Sequence, residues 1–241
     1  MMKNTALLIL LIFFEIDFIS GQKSFHGSFF MSFKSAGEVD EPPLFWNIMD
    51  PEKGGKLVFR VEDEMRKKGV NKRVLFDPSD STWTMMIGFN QVKQGTRIHT
   101  AKMFIDTTNH PDFKIQRSNE KKIIGGFLCN KLILHSNDYT AEVWITKEYK
   151  FDLCNIYRLL CHCGMMNEHL RKSNWCYFKK INGMILEVTS TEKQSGKTQS
   201  VFISTVKPAE IDSAMFNLDG YKIADIPEGQ NCGPVMQNEK R

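Results

Sequence analysis

The sequence predicts a mainly β protein of the α+β kind: a strongly curved antiparallel sheet, or half-barrel, with one or two helices covering it. Most of the chain runs in short segments that alternate apolar and polar residues with a period of two, the mark of a strand with one buried face. Turn-forming Gly, Pro and charged clusters separate these segments. Only two stretches switch to helical spacing. Many short strands with so few helices fit an antiparallel sheet, closed or half-closed, with helices packed on it.

The chain opens with Lys3, an apolar run from Ala6 to Phe14, and small Ser20 and Gly21, which reads as a secretory signal over residues 1–21. The run is far shorter than the ~20 residues a membrane-crossing helix needs, and Glu15 and Asp17 follow it at once, so no transmembrane anchor is expected. Export to a periplasmic or extracellular space follows. The absence of any Asn-x-Ser/Thr site leans toward a bacterial envelope. The formal charge is +4, and the leader carries Lys3 against Glu15 and Asp17, a net of −1, so the mature chain is +5. That mild balance permits an anionic partner without demanding one.

Residues 22–226 read as a single domain, large enough to bury a core. Phe25, Gly27, Phe29, Met31 and Phe33 share one face of its first strand. Leu57, Phe59 and Val61 mark the next, and a basic turn from Arg66 to Arg73, with Gly69 supplying the awkward backbone angle, leads into Val74–Phe76. Trp83, Met85, Ile87 and Phe89 share a face. Segments near His99–Asp106 and Phe113–Gln116 look like two further strands. Lys121–His135 reads as one long or broken strand, with Gly125 and Gly126 marking a bend or bulge, and Tyr139–Thr146 alternates cleanly. Helical spacing then appears in Leu153, Ile156, Tyr157, Leu160 and Cys161, with Asp152 to cap the start and Gly164 to stop it. Strands at Met184–Thr191 and Thr198–Val206 flank a polar turn. Pro208 opens a short helix with Ile211 and Met215 on its buried side. The tail, residues 227–241, is polar and is expected to be disordered.

The second half resembles a family of secreted bacterial proteins, found in Bacteroidetes, that have no assigned activity. The resemblance covers residues 120–226. It rests on Lys122–Leu134 (KIIGGFLCNKLIL), Ala141–Thr146 (AEVWIT) and Gly183–Glu187 (GMILE), then on Gly196 with Lys197, Val206 to Pro208, Ile211 with Asp212, Phe216, and Gly220 to Lys222. Such proteins look like relatives of the LolA/LolB lipoprotein carriers. The likeness implies a curved half-barrel with helices over its concave face and a lipid or lipoprotein acyl chain as partner, and it lends no catalytic residue. The stretch between Lys150 and Asn182 departs from the pattern, being longer and richer in Cys and Met.

Motifs for chemistry are few. Gly196, Lys197 and Thr198 end like a phosphate-binding loop, but Thr191 stands where the first glycine belongs and the segment joins two strands, so it is a hairpin turn. Of the six cysteines, Cys154, Cys161, Cys163 and Cys176 cluster, and in an oxidising compartment a disulfide among them ranks ahead of free packing thiols. Metal at Cys161, His162, Cys163, His169 and Cys176 ranks last, since the paired knuckles of a zinc site are missing. Cys232, in the tail, is expected to be unpaired. The basic stretch from Arg66 to Arg73 lacks the interleaved aromatics of a nucleic-acid platform and reads as a solvated loop. No catalytic residue, no metal and no cofactor are expected.

The functional expectation is a non-enzymatic exported protein that binds an apolar ligand in the half-barrel. The candidate lining is Phe29, Met31, Trp83, Met85, Ile87 and Phe89 from successive strands, with Ile156, Tyr157 and Leu160 as a lid. Thirteen methionines, which adapt to varied apolar shapes, support it. The alternative is a structural or protein-interaction module with a filled core.

Overall fold

The computed structural model describes residues 22–35, 44–48, 56–61, 67–77, 79–80, 82–99, 114–151, 153, 156 and 181–226. Residues 1–21, expected to be a signal, residues 227–241, expected to be a disordered tail, and residues 100–113 lie outside the described residues, as do Tyr157, Leu160, Cys154, Cys161, Cys163, Cys176 and Cys232. The described strands are β1 (Lys23–Ser24), β2 (Gly27–Ser35), β3 (Leu44–Ile48), β4 (Leu57–Val61), β5 (Asn71–Asp77), β6 (Thr82–Phe89), β7 (Val92–His99), β8 (Lys114–Ile124), β9 (Phe127–His135), β10 (Tyr139–Thr146), β11 (Tyr149–Lys150), β12 (Met184–Glu192), β13 (Thr198–Pro208) and β14 (Lys222–Ile226).

Twelve of them form one sheet in the order β14-β7-β6-β5-β4-β3-β2-β13-β12-β10-β9-β8, and β1 pairs with β11 in a small parallel ribbon. The protein is thus mainly β, as the alternating patterns foretold. Among the described residues the large sheet is open, with β14 and β8 as its edges, and it is mixed: its pairings are antiparallel save β14 against β7.

The inner face carries the main core. Phe29, Trp46, Phe59, Val74 and Met85 lie in register on five neighbouring strands. The Phe29 and Trp46 rings stack at 6.4 Å and those of Trp46 and Phe59 at 4.5 Å. Removing any one of these buried rings would cost about 3–5 kcal/mol. Phe151, Leu153 and Ile156 join the same cluster, and Phe151 packs edge-on against Phe25 and Phe29. Leu153 and Ile156 are helical and buried, and the other residues of the helix expected over Asp152–Cys163 lie outside the described residues.

A smaller cluster covers the outer face. Val58, Leu75 and Met86 pack under Phe216, with Ile211, Met215, Leu218 and Tyr221 around it. The second expected helix is corrected here. β13 continues through Pro208, which pairs with Gly27, and only Ser213–Phe216 forms a single 3-10 turn, its start held by the Asp212 carboxylate accepting from the Ala214 amide at 2.9 Å. Arg73 fastens this crossing. It lies within β5, not in a solvated turn, and donates to the main-chain oxygens of Met215 at 2.9 Å and Asn217 at 3.0 Å. The planar guanidinium reaches both carbonyls at once.

Three strand readings change as well. β3 was not foreseen. Of the strand expected near His99–Asp106, His99 is described as the last residue of β7, which begins at Val92, and residues 100–106 lie outside the described residues. Lys121–His135 is broken and not continuous, and Gly125 and Gly126 are neither bend nor bulge: their φ values of 58° and 93° make a two-residue hairpin loop in which Ile124 pairs with Phe127. The sheet therefore takes no curvature from that glycine pair.

Candidate functional site

The six strand residues singled out as ligand lining share the inner face but not its exposure. Phe29, Met31 and Trp83 are buried in the core, as is Ile156. They fill the central inner face and offer no surface to a ligand. Met85 is partly buried, and beyond it along β6 the same face emerges into solvent, with Ile87 at 41% and Phe89 at 47% exposure. Val92, paired with Phe89 across the hairpin, is 56% exposed. Tyr157 and Leu160 lie outside the described residues.

These side chains border an open depression of about 470 Å³ formed by β6, β7 and β14. The tight hairpin that builds it turns at Asn90, whose φ of 52° is one that asparagine tolerates better than most residues. Across the strands the register places Lys72, Ile87, Gln94 and Lys222 in one row, and Val74, Met85, Thr96 and Ala224 in the next. The floor is apolar and the rim carries an amide, a hydroxyl and an amine. Among the described residues no carboxylate, imidazole or thiol lines it, and the apolar lining suits binding by burial of apolar surface. Val92, Gln94 and Lys222 escaped the sequence reading. The pattern Phe89, Asn90, Gln91, Val92, two apolar residues about a two-residue turn containing asparagine, was the signal that could have found the hairpin.

Other chemistry-bearing residues are held elsewhere. Cys129 is free and buried, its thiol donating to the Phe127 carbonyl at 3.5 Å, and burial pushes its pKa up to about 11. On the outer face Trp144 lies beneath Lys122, whose ammonium is 4.2 Å from the ring centre and 2.7 Å from the Glu187 carboxylate. Lys131 joins Glu142 at 3.1 Å and Glu120 at 3.2 Å beside it. No group of three or more potential metal ligands occurs among the described residues. Nor, among them, is any helix long and apolar enough to cross a membrane.

No family model matches the chain, and no curated protein matches it in sequence. Similar solved structures share the sheet only distantly. Two crystal forms of PNGF-II align over 85% and 84% of this chain, at 16% and 14% identity and a TM-score of 0.41 each. This chain spans 31% and 32% of their length, about a third. A domain from Vibrio parahaemolyticus described as belonging to an outer membrane lipoprotein-sorting protein aligns over 81% of this chain and 91% of its own, at 11% identity and a TM-score of 0.31. A DUF1329 family protein from Desulfovibrio piger covers 83% and 91% respectively, at 10% identity and a TM-score of 0.22. Likenesses this distant lend the chain neither a ligand nor an activity.

Proposed function

We propose that this chain is an exported, non-enzymatic protein that binds an apolar molecule in the open depression at the β6–β7 end of its sheet. One observation carries the reading: Ile87, Phe89 and Val92 stay exposed around a shaped hollow, while Trp83 and Ile98, further along the same face of β6 and β7, are buried. The volume lies within the roughly 300–1,000 Å³ of small-ligand sites. Covering these side chains gains about 25 cal/mol per Å² before ordering costs are counted.

Ile87→Asp tests it, because Ile87 is exposed and its replacement leaves the core intact. The variant should keep the native circular dichroism spectrum and lose binding of a fluorescent apolar dye by about tenfold or more. A folded variant that binds the dye as the parent does would overturn the reading. Phe29 cannot serve in its place, since a charge there would unfold the core.

A second reading, a protein-interaction module, is favoured by the opposite edge. There Ile123 is 74% exposed beside Leu128, with which it pairs, and β8 is an edge strand among the described residues. Ile123→Glu with loss of a co-purifying protein, and dye binding unchanged, would support that reading instead.

A further inference from the structure

We infer that the occupant of this depression is a single-chain anionic amphiphile, its head held between Lys72 and Lys222 and its chain laid over Ile87, Phe89 and Val92. The inference rests on the proposed reading of the depression as a binding site and adds the class of ligand.

The argument is one of register and unmatched charge. Lys72, Ile87, Gln94 and Lys222 stand in one row on four adjacent strands. Alternation along β5 puts Lys72 on the face of Val74, and Lys222 lines the depression itself. The outer two strands lie three strand spacings apart, about 14 Å, a gap that two lysine side chains can narrow from either side.

Neither amine has a hydrogen-bond or ion-pair partner among the described residues, in contrast to Lys56, Lys122 and Lys131, each paired with a carboxylate at 2.7–3.2 Å. The nearest acid on β14, Asp225, is opposite Arg97 in register and pairs with it at 3.7 Å on the other face of the sheet. No described residue that lines the hollow cancels the two charges. A neutral apolar chain settling there would strip water from Lys222 and give nothing back, which is costly for a charge. An anionic head returns the lost interaction as charge-assisted hydrogen bonds, the stronger kind. The modest volume, about 470 Å³, suits one chain better than the paired chains of a membrane lipid.

The test compares two ligands with the same chain, dodecanoate and dodecanol, by isothermal titration calorimetry on the whole protein at pH 7.5. The parent should bind dodecanoate about tenfold or more tightly than dodecanol, the effect expected of hydrogen bonds to a charge. The double variant K72Q/K222Q should bring the two ligands to within about twofold of each other, chiefly by weakening dodecanoate, and K72R/K222R should keep the preference. Equal binding of both ligands by the parent overturns the anionic head and leaves the apolar site standing, as does a preference that survives in K72Q/K222Q. Binding of neither ligand overturns both.

Discussion

Asp77, the last residue of β5, is the side chain whose titration the fold alters most legibly. Burial by itself raises its carboxyl pKa; the hydrogen bond and charge of Lys56 at 2.7 Å, with the hydroxyl and amide of Ser79, outweigh that and hold it below the ordinary 3.8. Because folding lowers this pKa, the stabilisation is fully present above the ordinary value and is lost as pH falls through the folded one. Asp77→Asn should therefore flatten the acid limb of a plot of Tm against pH below about pH 4, with the slope above pH 6 unchanged. An acid limb as steep in the variant as in the parent would show that other carboxylates carry it. Lys131 shifts the other way: the hydrogen bonds of Glu142 and Glu120 raise it, so its contribution is present below the ordinary lysine value and fades only in strong base.

Among the elements, the β8–β9 hairpin isolates backbone conformation from packing. Gly125 and Gly126 hold positive φ, yet a side chain added at Gly125 would meet nothing nearer than a Phe127 ring carbon at 4.0 Å, and one at Gly126 nothing at all. Substitution there changes conformational strain alone. Gly125→Asn should leave unfolding in urea within about 0.5 kcal/mol of the parent, since asparagine tolerates this angle, whereas β-branched Gly125→Val should cost about 1–3 kcal/mol. Equal costs for the two would point to a turn that reshapes. The same hairpin marks where local sequence stops being informative. Alternation revealed β2, β4, β6, β10, β12 and β13 because apolar residues recur at alternate positions along each, even where, as at Leu57–Phe59 of β4, both faces are buried. β3 escaped because Leu44, Phe45 and Trp46 follow one another with no polar residue between them, leaving no alternation to set the period. β7 escaped because Lys93, Gln94, Thr96 and Arg97 make it read as a loop, and its place in the sheet comes from pairing with β6 and β14. For the site, the shared face of Trp83, Met85, Ile87 and Phe89 was legible. Which end of that face stays open was not, because it depends on what packs over the strand, and the Lys72–Lys222 row depends on a parallel pairing between distant segments.

At the scale of the whole molecule, the sheet is two meanders joined by one seam. Strands β2 to β7 run in sequence order on one side, and β13, β12, β10, β9 and β8 follow on the other, with β2 against β13 as the antiparallel junction. That junction pairs Phe33 with Val201 and Met31 with Ile203, residues from opposite ends of the described chain, so it closes a very long loop and is expected to form late and slowly. Gly27 sits where the seam ends, opposite Pro208, with a φ of 142°; a Cβ there would lie 2.2 Å from the Lys207 carbonyl oxygen, which is backbone and cannot swing aside. Gly27→Ala therefore carries about 1–3 kcal/mol of backbone strain before the clash is counted, and the strands must part to relieve it. Local opening free energies differ across a fold, so hydrogen exchange should locate the damage. Amide protection should fall first and furthest in β2 and β13, while β5 and β6, held within their own meander and under the Arg73-fastened crossing, keep most of theirs. Protection lost evenly along all strands would mean that the two meanders fold and unfold as one cooperative unit, and that the seam is no weaker than the pairings on either side of it.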